Sequence, residues 1–112
     1  MNLLLYSAAH LFLISFVNNP ECTRYMYIEE ISVVNFKNLK DVKVAFSPRL
    51  NCFIGNNGAG KTNLLDAVYY LSFCKSFSNP IDQLNVNHDE NYFMLNGNYI
   101  RLDSKENINC GF

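Results

Sequence analysis

The sequence predicts an α/β fold in which a short strand, a glycine-rich loop and a helix follow one another. Leu50–Ile54 is nearly all apolar, which is typical of a buried parallel strand. Gly55, Gly58 and Gly60 follow directly and predict a loop with unusual backbone angles. After the loop, apolar residues recur at intervals of three and four, which places them on one face of a helix. This face consists of Leu64, Ala67, Val68, Leu71 and Cys74.

Two further β segments are predicted before this unit. The first, Met26–Asn38, is dominated by strand-forming residues up to Phe36. In the second, Val42, Val44 and Phe46 alternate with polar or small residues. This period of two is typical of an antiparallel strand with one face in water.

The elements after the helix are less regular. Ser78–Pro80 is predicted to end the helix because it combines turn-forming residues with a proline. Tyr92–Ile100 is predicted as a strand with a weak point or turn at Asn96–Asn98. Residues 103–112 are polar and lack periodicity, so no complete element is predicted there.

Composition excludes several classes of protein. The chain has 112 residues, 49% of them hydrophobic, and a net charge of −1, which excludes general disorder and an obvious basic footprint for nucleic acid. A local basic patch remains compatible with this charge. The four cysteines contain no C-x-x-C pair, which argues against a zinc ribbon and a compact disulfide framework. Reduced, mostly buried thiols are predicted at Cys22, Cys52, Cys74 and Cys110.

Residues 1–25 differ in composition from the rest of the chain. Leu3–Val17 is apolar but shorter than the roughly 20 residues that a membrane span needs. A signal peptide would show a positive n-region and a small-residue cleavage site, and neither occurs here. Because Met26 directly precedes a strand signal, residues 1–25 are predicted to be an upstream extension outside the fold. Anchoring to a membrane through Leu3–Val17 is kept as a further hypothesis.

The strongest chemical signal is a match to the phosphate-loop pattern G-x-x-x-x-G-K-[ST]. Its glycines allow successive N–H groups to point inward at an anion, and the helix N-terminus adds partial positive charge. The pattern predicts that Lys61 reaches the β- and γ-phosphates and that the Thr62 hydroxyl ligates Mg²⁺. The predicted phosphate-binding residues are Gly55, Asn56, Asn57, Gly58, Ala59, Gly60, Lys61 and Thr62.

The continuation of this motif resembles a specific family. Asn57–Ala67 fits N-G-x-G-K-[ST]-[NS]-[IL]-L-[DE]-A, which is similar to the heads of the SMC, Rad50 and RecF group of ABC-type ATPases. Further stretches resemble the N-terminal part of RecF-type proteins, bacterial proteins of DNA replication and repair. They are Met26–Asn38, Phe46–Pro48, Leu50–Ile54, Val68–Ser72, Lys75–Phe77, His88–Glu90 and Tyr92–Phe93.

The resemblance implies a P-loop NTPase fold, namely part of an ABC-type ATPase head. Residues 26–101 would be a partial N-terminal P-loop domain, and 102–112 a divergent or truncated tail. RecF-type proteins bind ATP with Mg²⁺, dimerise around ATP and hydrolyse it slowly. They bind single-stranded and gapped DNA and act with RecO and RecR in recombinational repair and the SOS response. The resemblance therefore implies a cytoplasmic location, and a membrane partner is not expected.

The resemblance also implies roles for individual residues. Asn57 is expected to shape the loop rather than to do chemistry. Lys37 matches the N-F-[RK]-N stretch of the family and is predicted as a phosphate or ribose contact, with a solvated lysine at a strand end as the equal alternative. Lys40, Lys43, Lys75 and Arg101 are candidates for a DNA-facing patch.

No catalytic residue is predicted, and enzyme activity of this chain alone is left open. The ABC-type mechanism needs a Walker B carboxylate, a neighbouring carboxylate and a signature motif, and none of these occurs in the sequence. A phosphate loop without them is expected to bind but not to hydrolyse. The alternative is a stand-alone small P-loop nucleotide-binding or kinase-like protein with Asp82, Asp89 or Glu90 as its Mg²⁺ partner.

Asp66 and the stretch His88–Glu90 are interpreted as structural. Asp66 lies one turn into the helix and is expected on the helix surface or behind the site rather than as a general base. His88–Glu90 is expected to form a loop face, because three consecutive side chains converge poorly on one metal ion.

Overall fold

The computed structural model describes residues 26–112 and shows a mixed α/β architecture, as predicted. The predicted extension 1–25, including the Leu3–Val17 run and Cys22, lies outside these residues. The elements in chain order are β1 (Met26–Phe36), β2 (Leu39–Ala45), α1 (Lys61–Phe73), a 3₁₀ helix (Asp82–Asn85), β3 (Met94–Arg101) and β4 (Ser104–Gly111).

The four strands form one antiparallel sheet in the order β2-β1-β3-β4. β1 is therefore central, and Val33 lies between Val42 on β2 and Leu95 on β3. The alternation predicted for β2 is confirmed, because Val42 and Val44 pack against the core while Lys43 is exposed.

The core lies between one face of this sheet and α1. Ile31, Val33 and Leu95 are fully buried on the sheet side. The helix contributes Ala67 and Leu71, which are also buried. Apolar burial of this kind is the main favourable contribution to folding, so the helix and the sheet depend on each other for stability.

Three aromatic rings fix the helix on the sheet. Phe36 contacts Tyr70 and Phe93 edge to face, with ring centroids 5.9 and 5.2 Å apart, and Tyr70 meets Phe93 at 5.2 Å. The Tyr70 hydroxyl donates a hydrogen bond to Asp82 Oδ1 at 2.9 Å. Burial, together with this hydrogen bond and the charge of Asp82, raises the pKa of Tyr70 well above its usual value.

The strand predicted near Tyr92–Ile100 is present as β3, but the turn predicted at Asn96–Asn98 is wrong. The strand runs unbroken through Gly97 because this glycine is where α1 approaches the sheet. A Cβ atom at Gly97 would lie 2.9 Å from Leu71 Cδ1 and 2.8 Å from Tyr99 Cε2. Gly97 therefore serves close packing rather than chain reversal.

Gly97→Ala is expected to lower the free energy of unfolding by about 1–3 kcal/mol, because the added methyl group overpacks the helix–sheet interface. Urea unfolding monitored by circular dichroism measures this loss. Gly55→Ala is the matched control, since a Cβ there would meet Ala59 Cβ at an ordinary 3.6 Å. A loss no larger for Gly97→Ala than for Gly55→Ala would contradict this account of the interface.

The parallel strand predicted at Leu50–Ile54 is not observed. All strand pairing between residues 26 and 112 is antiparallel. It involves β1 to β4 and, in one isolated bridge, Phe36 and Val86, so this segment pairs with no neighbour there. Leu50 is 61% exposed and Ile54 is 93% exposed, although Phe53 packs edge to face on Phe46. An apolar run becomes a strand only where another strand accepts its backbone hydrogen bonds.

The end of the helix and its buried face also differ from the prediction. α1 ends at Phe73, where Cys74 adopts a left-handed conformation, rather than at Ser78–Pro80. Cys74 is exposed, and the buried face includes Asp66 and Tyr70 instead. The reason is tertiary, because the aromatic contacts of Tyr70 and the polar partners of Asp66 turn that side of the helix inward.

The prediction of no element in residues 103–112 is wrong, because β4 pairs with β3 along its whole length. Ile108 and Cys110 face the core, and the outer face carries asparagines that hydrogen-bond across the strands, with Asn107 Nδ2 at 2.6 Å from Asn98 Oδ1. Whether residues 102–112 diverge from relatives stays a prediction.

The thiol prediction holds only in part. Within residues 26–112 all three cysteines are free, as predicted, but Cys52 and Cys74 are exposed and Cys110 is half-buried. In the same part of the chain, neither helix has the length and apolar character that crossing a membrane would require.

Candidate phosphate-binding site

The glycine-rich loop runs directly into α1, in the arrangement that a phosphate loop requires. Gly60 precedes the first helical residue and has φ 101° and ψ 8°, and Gly58 has φ 80°. Residues with a side chain rarely adopt such angles, so these two positions need glycine. Ala59 N donates a hydrogen bond to Asn56 O at 3.1 Å and closes a tight turn within the loop.

The N-terminus of α1 is open towards this loop. Gly60 has no side chain with which to cap the helix, and the first turn contains no acidic residue. The hydrogen bond from Leu64 N to Gly60 O, at 2.8 Å, begins the helical pattern, so the N–H groups of residues 61–63 precede it. Free N–H groups and the positive end of the helix dipole together favour an anion such as phosphate.

Lys61 and Thr62 stand at this helix N-terminus. The Lys61 ammonium donates hydrogen bonds to the carbonyl oxygens of Gly55 and of Asn56, the latter at 3.1 Å. The ammonium thus lies over the loop, where phosphates would be bound. Thr62 is exposed at the second helical position, so its hydroxyl is accessible to a ligand.

The turn between β1 and β2 braces the loop from outside. Asn38 Nδ2 donates a hydrogen bond to Gly58 O at 3.2 Å, and Asn63 Nδ2 donates one to Asn38 Oδ1 at 2.6 Å. A Cβ atom at Gly60 would lie only 2.7 Å from Leu39 Cδ2. The loop is therefore packed against this turn as well as joined to the helix.

Lys37, at the start of the same turn, is directed away from solvent. Its ammonium donates hydrogen bonds to the Asp66 carboxylate, to Ser76 Oγ at 3.2 Å and to Ser78 Oγ at 2.5 Å. Its side chain is only 14% exposed, so the alternative of a solvated lysine is wrong. Contact of Lys37 with phosphate or ribose stays a prediction, because these observed partners all lie outside the phosphate loop.

Asp66 is the centre of this polar cluster. Of the two places expected for it, the helix surface is wrong, and the place behind the site stays a prediction. It is 6% exposed and accepts hydrogen bonds from Lys37, from Ser76 Oγ at 2.5 Å and from Phe77 N at 2.7 Å. Burial, the largest single influence, raises its pKa, but these hydrogen bonds and the Lys37 charge together outweigh burial and leave the pKa lowered.

Because the pKa of Asp66 is lowered by folding, its ionised form stabilises the folded state above the unfolded pKa of about 3.9. That contribution is lost as the pH falls through the folded pKa. We therefore expect the stability difference between the original chain and Asp66→Asn to shrink as the pH is lowered below about 4. Urea midpoints measured from pH 7 downwards test this, with the exposed Asp89→Asn as control. A difference that is constant with pH would contradict it.

Three of the four candidates for a DNA-facing patch form ordinary surface pairs. Lys40 Nζ lies 3.0 Å from Asp89 Oδ2, and Lys43 Nζ lies 3.1 Å from Glu30 Oε1. Arg101 pairs with Glu106 at 3.5 Å. In the region from Met26 to Phe112, no three His, Cys, Asp or Glu side chains converge as a metal site would need.

The sequence predicts the loop but not the residues that support it. Asp66, Ser76 and Ser78 were not grouped, although they surround one lysine in the structure. A usable signal was the spacing of Asp66 and Tyr70, since residues four apart share one helix face.

The sequence comparisons point to ATPases. Residues 26–112 match the AAA ATPase domain family. The DNA replication and repair protein RecF of Bacteroides fragilis is 54% identical over 87 residues, which are 77% of this chain and 24% of that protein. RecF of Flavobacterium johnsoniae is 39% identical over 85 residues, which are 76% of this chain and 24% of that protein. The chain thus spans about a quarter of the length of these curated relatives.

The structural comparisons agree. The solved structure of the recombination mediator protein RecF with ATP has a TM-score of 0.75 at 34% identity, covering 85% of this chain and 26% of that one. A structure from work on ATP-driven dimerisation of SMC ATPases has a TM-score of 0.56 at 18% identity, covers 74% and 69% of the two chains, and shows likeness of fold alone. The predicted ATPase-head fold and the resemblance to RecF-type proteins are confirmed.

Proposed function

The chain belongs to the AAA ATPase domain family, and on that basis we propose that Gly55–Thr62 binds the phosphates of ATP. The observation that carries the proposal is the open N-terminus of α1, which directly follows a loop with left-handed glycines at 58 and 60. Such a terminus presents several N–H groups to one anion. The RecF structure to which this chain is similar contains ATP, which supports the same nucleotide here.

The residues of the loop other than glycine have separate proposed tasks. Asn56, Asn57 and Ala59 contribute backbone groups to the phosphate cradle. Lys61 exchanges the loop carbonyls for the β- and γ-phosphates, because phosphate oxygens carry more negative charge than a carbonyl oxygen.

Thr62 is proposed to hold Mg²⁺ together with phosphate oxygens, since hydroxyl and phosphate oxygens suit this hard cation. The exposed hydroxyl at the helix start fits this task. Bound Mg²⁺ would neutralise part of the phosphate charge. Lys37 is retained as a proposed phosphate or ribose contact, which would require its ammonium to leave Asp66.

The wider function is proposed from the relatives. Residues 26–101 would act as part of a larger ATPase head, with 1–25 outside it and 102–112 as a divergent tail. We propose a cytoplasmic role in DNA replication, recombinational repair and the SOS response, with single-stranded or gapped DNA and RecO- and RecR-type proteins as partners. ATP-dependent dimerisation is proposed from the resemblance to RecF-type proteins.

The stand-alone alternative gains no support from the positions of its acidic candidates. Asp82 accepts a hydrogen bond from the Tyr70 hydroxyl, Asp89 pairs with Lys40 on the surface, and Glu90 is exposed beside Asp89. Hydrolysis therefore has no proposed carboxylate in residues 26–112, and we propose that this chain binds ATP without turning it over.

Lys61→Ala is expected to weaken ATP binding by about 10- to 100-fold, since one charge-assisted contact contributes roughly 1.5–3 kcal/mol. Isothermal titration calorimetry of the 112-residue chain with MgATP measures this change. Adenosine, which lacks phosphates, should bind far more weakly than ATP.

The matched control is Lys75→Ala, an exposed lysine just beyond the other end of α1. This variant should bind ATP like the original chain. Equal ATP affinity in Lys61→Ala and Lys75→Ala would overturn the proposal, as would equal affinity for ATP and adenosine.

A further inference from the structure

The Lys37–Asp66 pair joins three segments that are far apart in sequence. Asp66 lies on α1, Lys37 opens the turn between β1 and β2, and Ser76 and Ser78 follow the helix. Both charged side chains are largely buried, at 14% and 5% exposure. A buried ion pair is tolerated only when hydrogen bonds satisfy it, and here two hydroxyls and the Phe77 amide do so.

This pair lies one residue away from the brace on the phosphate loop. Lys37 is followed by Asn38, which hydrogen-bonds to Gly58 O and to the Asn63 side chain. The Lys37 backbone is also held, because its N–H donates to Asn85 O at 2.7 Å and its carbonyl accepts from Asn87 Nδ2 at 2.6 Å. With its peptide held on both sides, the turn has little freedom to shift while Lys37 stays anchored.

The same helix supplies both the anchor and the phosphate-binding end. Asp66 fixes Lys37 to α1, and the N-terminus of α1 at Lys61 forms one wall of the loop. Asn38 forms the opposite support. The ion pair therefore links the two structures that hold the loop.

We propose that Asp66 is a positioning residue for nucleotide binding, which acts through Lys37 to hold Asn38 against the phosphate loop. The inference rests on the proposed function of Gly55–Thr62 and deepens it. In this role the buried pair preorganises the loop, so that less of the free energy of ATP binding is lost in ordering the loop. Lys37 is therefore also predicted to contribute to ATP affinity through its pair with Asp66, whereas direct contact of Lys37 with phosphate or ribose would require that pair to break.

A double-mutant cycle on the 112-residue chain tests the inference. The variants are Asp66→Asn, Asn38→Ala and the combination of both, with MgATP affinity measured by calorimetry well below the melting temperature of each. Each single variant is expected to weaken ATP binding about tenfold, the effect of roughly 1.4 kcal/mol. The double variant should be no weaker than either single variant, because both interrupt the same path. A purely structural role of Asp66 would leave the two effects additive.

Two further variants keep the test decisive. Asp89→Asn is the matched control, since its carboxylate also pairs with a lysine but at the surface, and it should keep full ATP affinity. If Asp66→Asn fails to fold, the double substitution Lys37→Met with Asp66→Leu removes both charges and leaves neither buried alone. This pair should fold and show the same tenfold loss.

The outcomes separate the two proposals. The positioning role is overturned if the losses in the cycle are additive. It is also overturned if a folded Asp66 variant keeps full ATP affinity while Asn38→Ala binds ATP more weakly. Both outcomes leave the phosphate-binding proposal intact. No binding of MgATP by the original chain would instead refute the phosphate-binding proposal, and the positioning role with it.

Discussion

Phe36→Ala is expected to lower the free energy of unfolding by about 3–5 kcal/mol, the usual cost of emptying a buried aromatic position. Phe36 is fully buried at the end of β1. Its ring contacts Tyr70 from the helix and Phe93 from the segment before β3, so its removal leaves a cavity where three segments meet. Neither neighbour can fill that space without losing its own edge-to-face contact.

The size of this loss makes it easy to measure. Small domains are stable by only about 5–15 kcal/mol, so this one substitution would remove a large part of the total. Urea unfolding followed by circular dichroism gives the value. Phe77→Ala is the matched control, because that ring is 80% exposed and its removal should cost no more than about 1 kcal/mol. Equal losses in the two variants would show that Phe36 is not a core residue.

The parts of the fold that sequence analysis predicted well are those with a local signal. β1 and β2 carry strand-forming or alternating residues over their whole length, and α1 has apolar residues at helical spacing. Leu50–Ile54 has an equally apolar sequence but no observed partner strand, so local composition alone misled. β4 was not predicted for the opposite reason. Ile108 and Cys110 are the only apolar residues that this strand packs against the core, and its outer face is polar.

The candidate site divides in the same way. The glycine pattern and the lysine of the phosphate loop are contiguous in sequence, and the helix that follows is where the pattern places it. The spacing of Asp66 to Tyr70 indicates which helix face it shares, but its charge partner could not be identified, because a buried carboxylate pairs with a residue from elsewhere in the chain. That partner, Lys37, is 29 residues away and has a left-handed backbone conformation that no periodicity predicts.

Gly60→Ala is expected to weaken ATP binding by about 100-fold or more, because the substitution strains the loop in two ways. An L-residue at φ 101° costs on the order of 1–3 kcal/mol in backbone strain. The new Cβ would also lie 2.7 Å from Leu39 Cδ2 and 3.2 Å from Asn38 Oδ1, which pushes the loop away from its brace. Both effects displace the N–H groups at the start of α1.

Gly58→Ala separates the two effects. Gly58 also has a positive φ, of 80°, but a Cβ there would meet nothing within 4 Å. Its substitution therefore tests backbone strain alone and should weaken MgATP binding by about tenfold, the equivalent of roughly 1.4 kcal/mol. Calorimetric titration of both variants, after their melting temperatures confirm folding, gives the comparison. If Gly58→Ala lost as much affinity as Gly60→Ala, contact with the β1–β2 turn would play no part in shaping the loop.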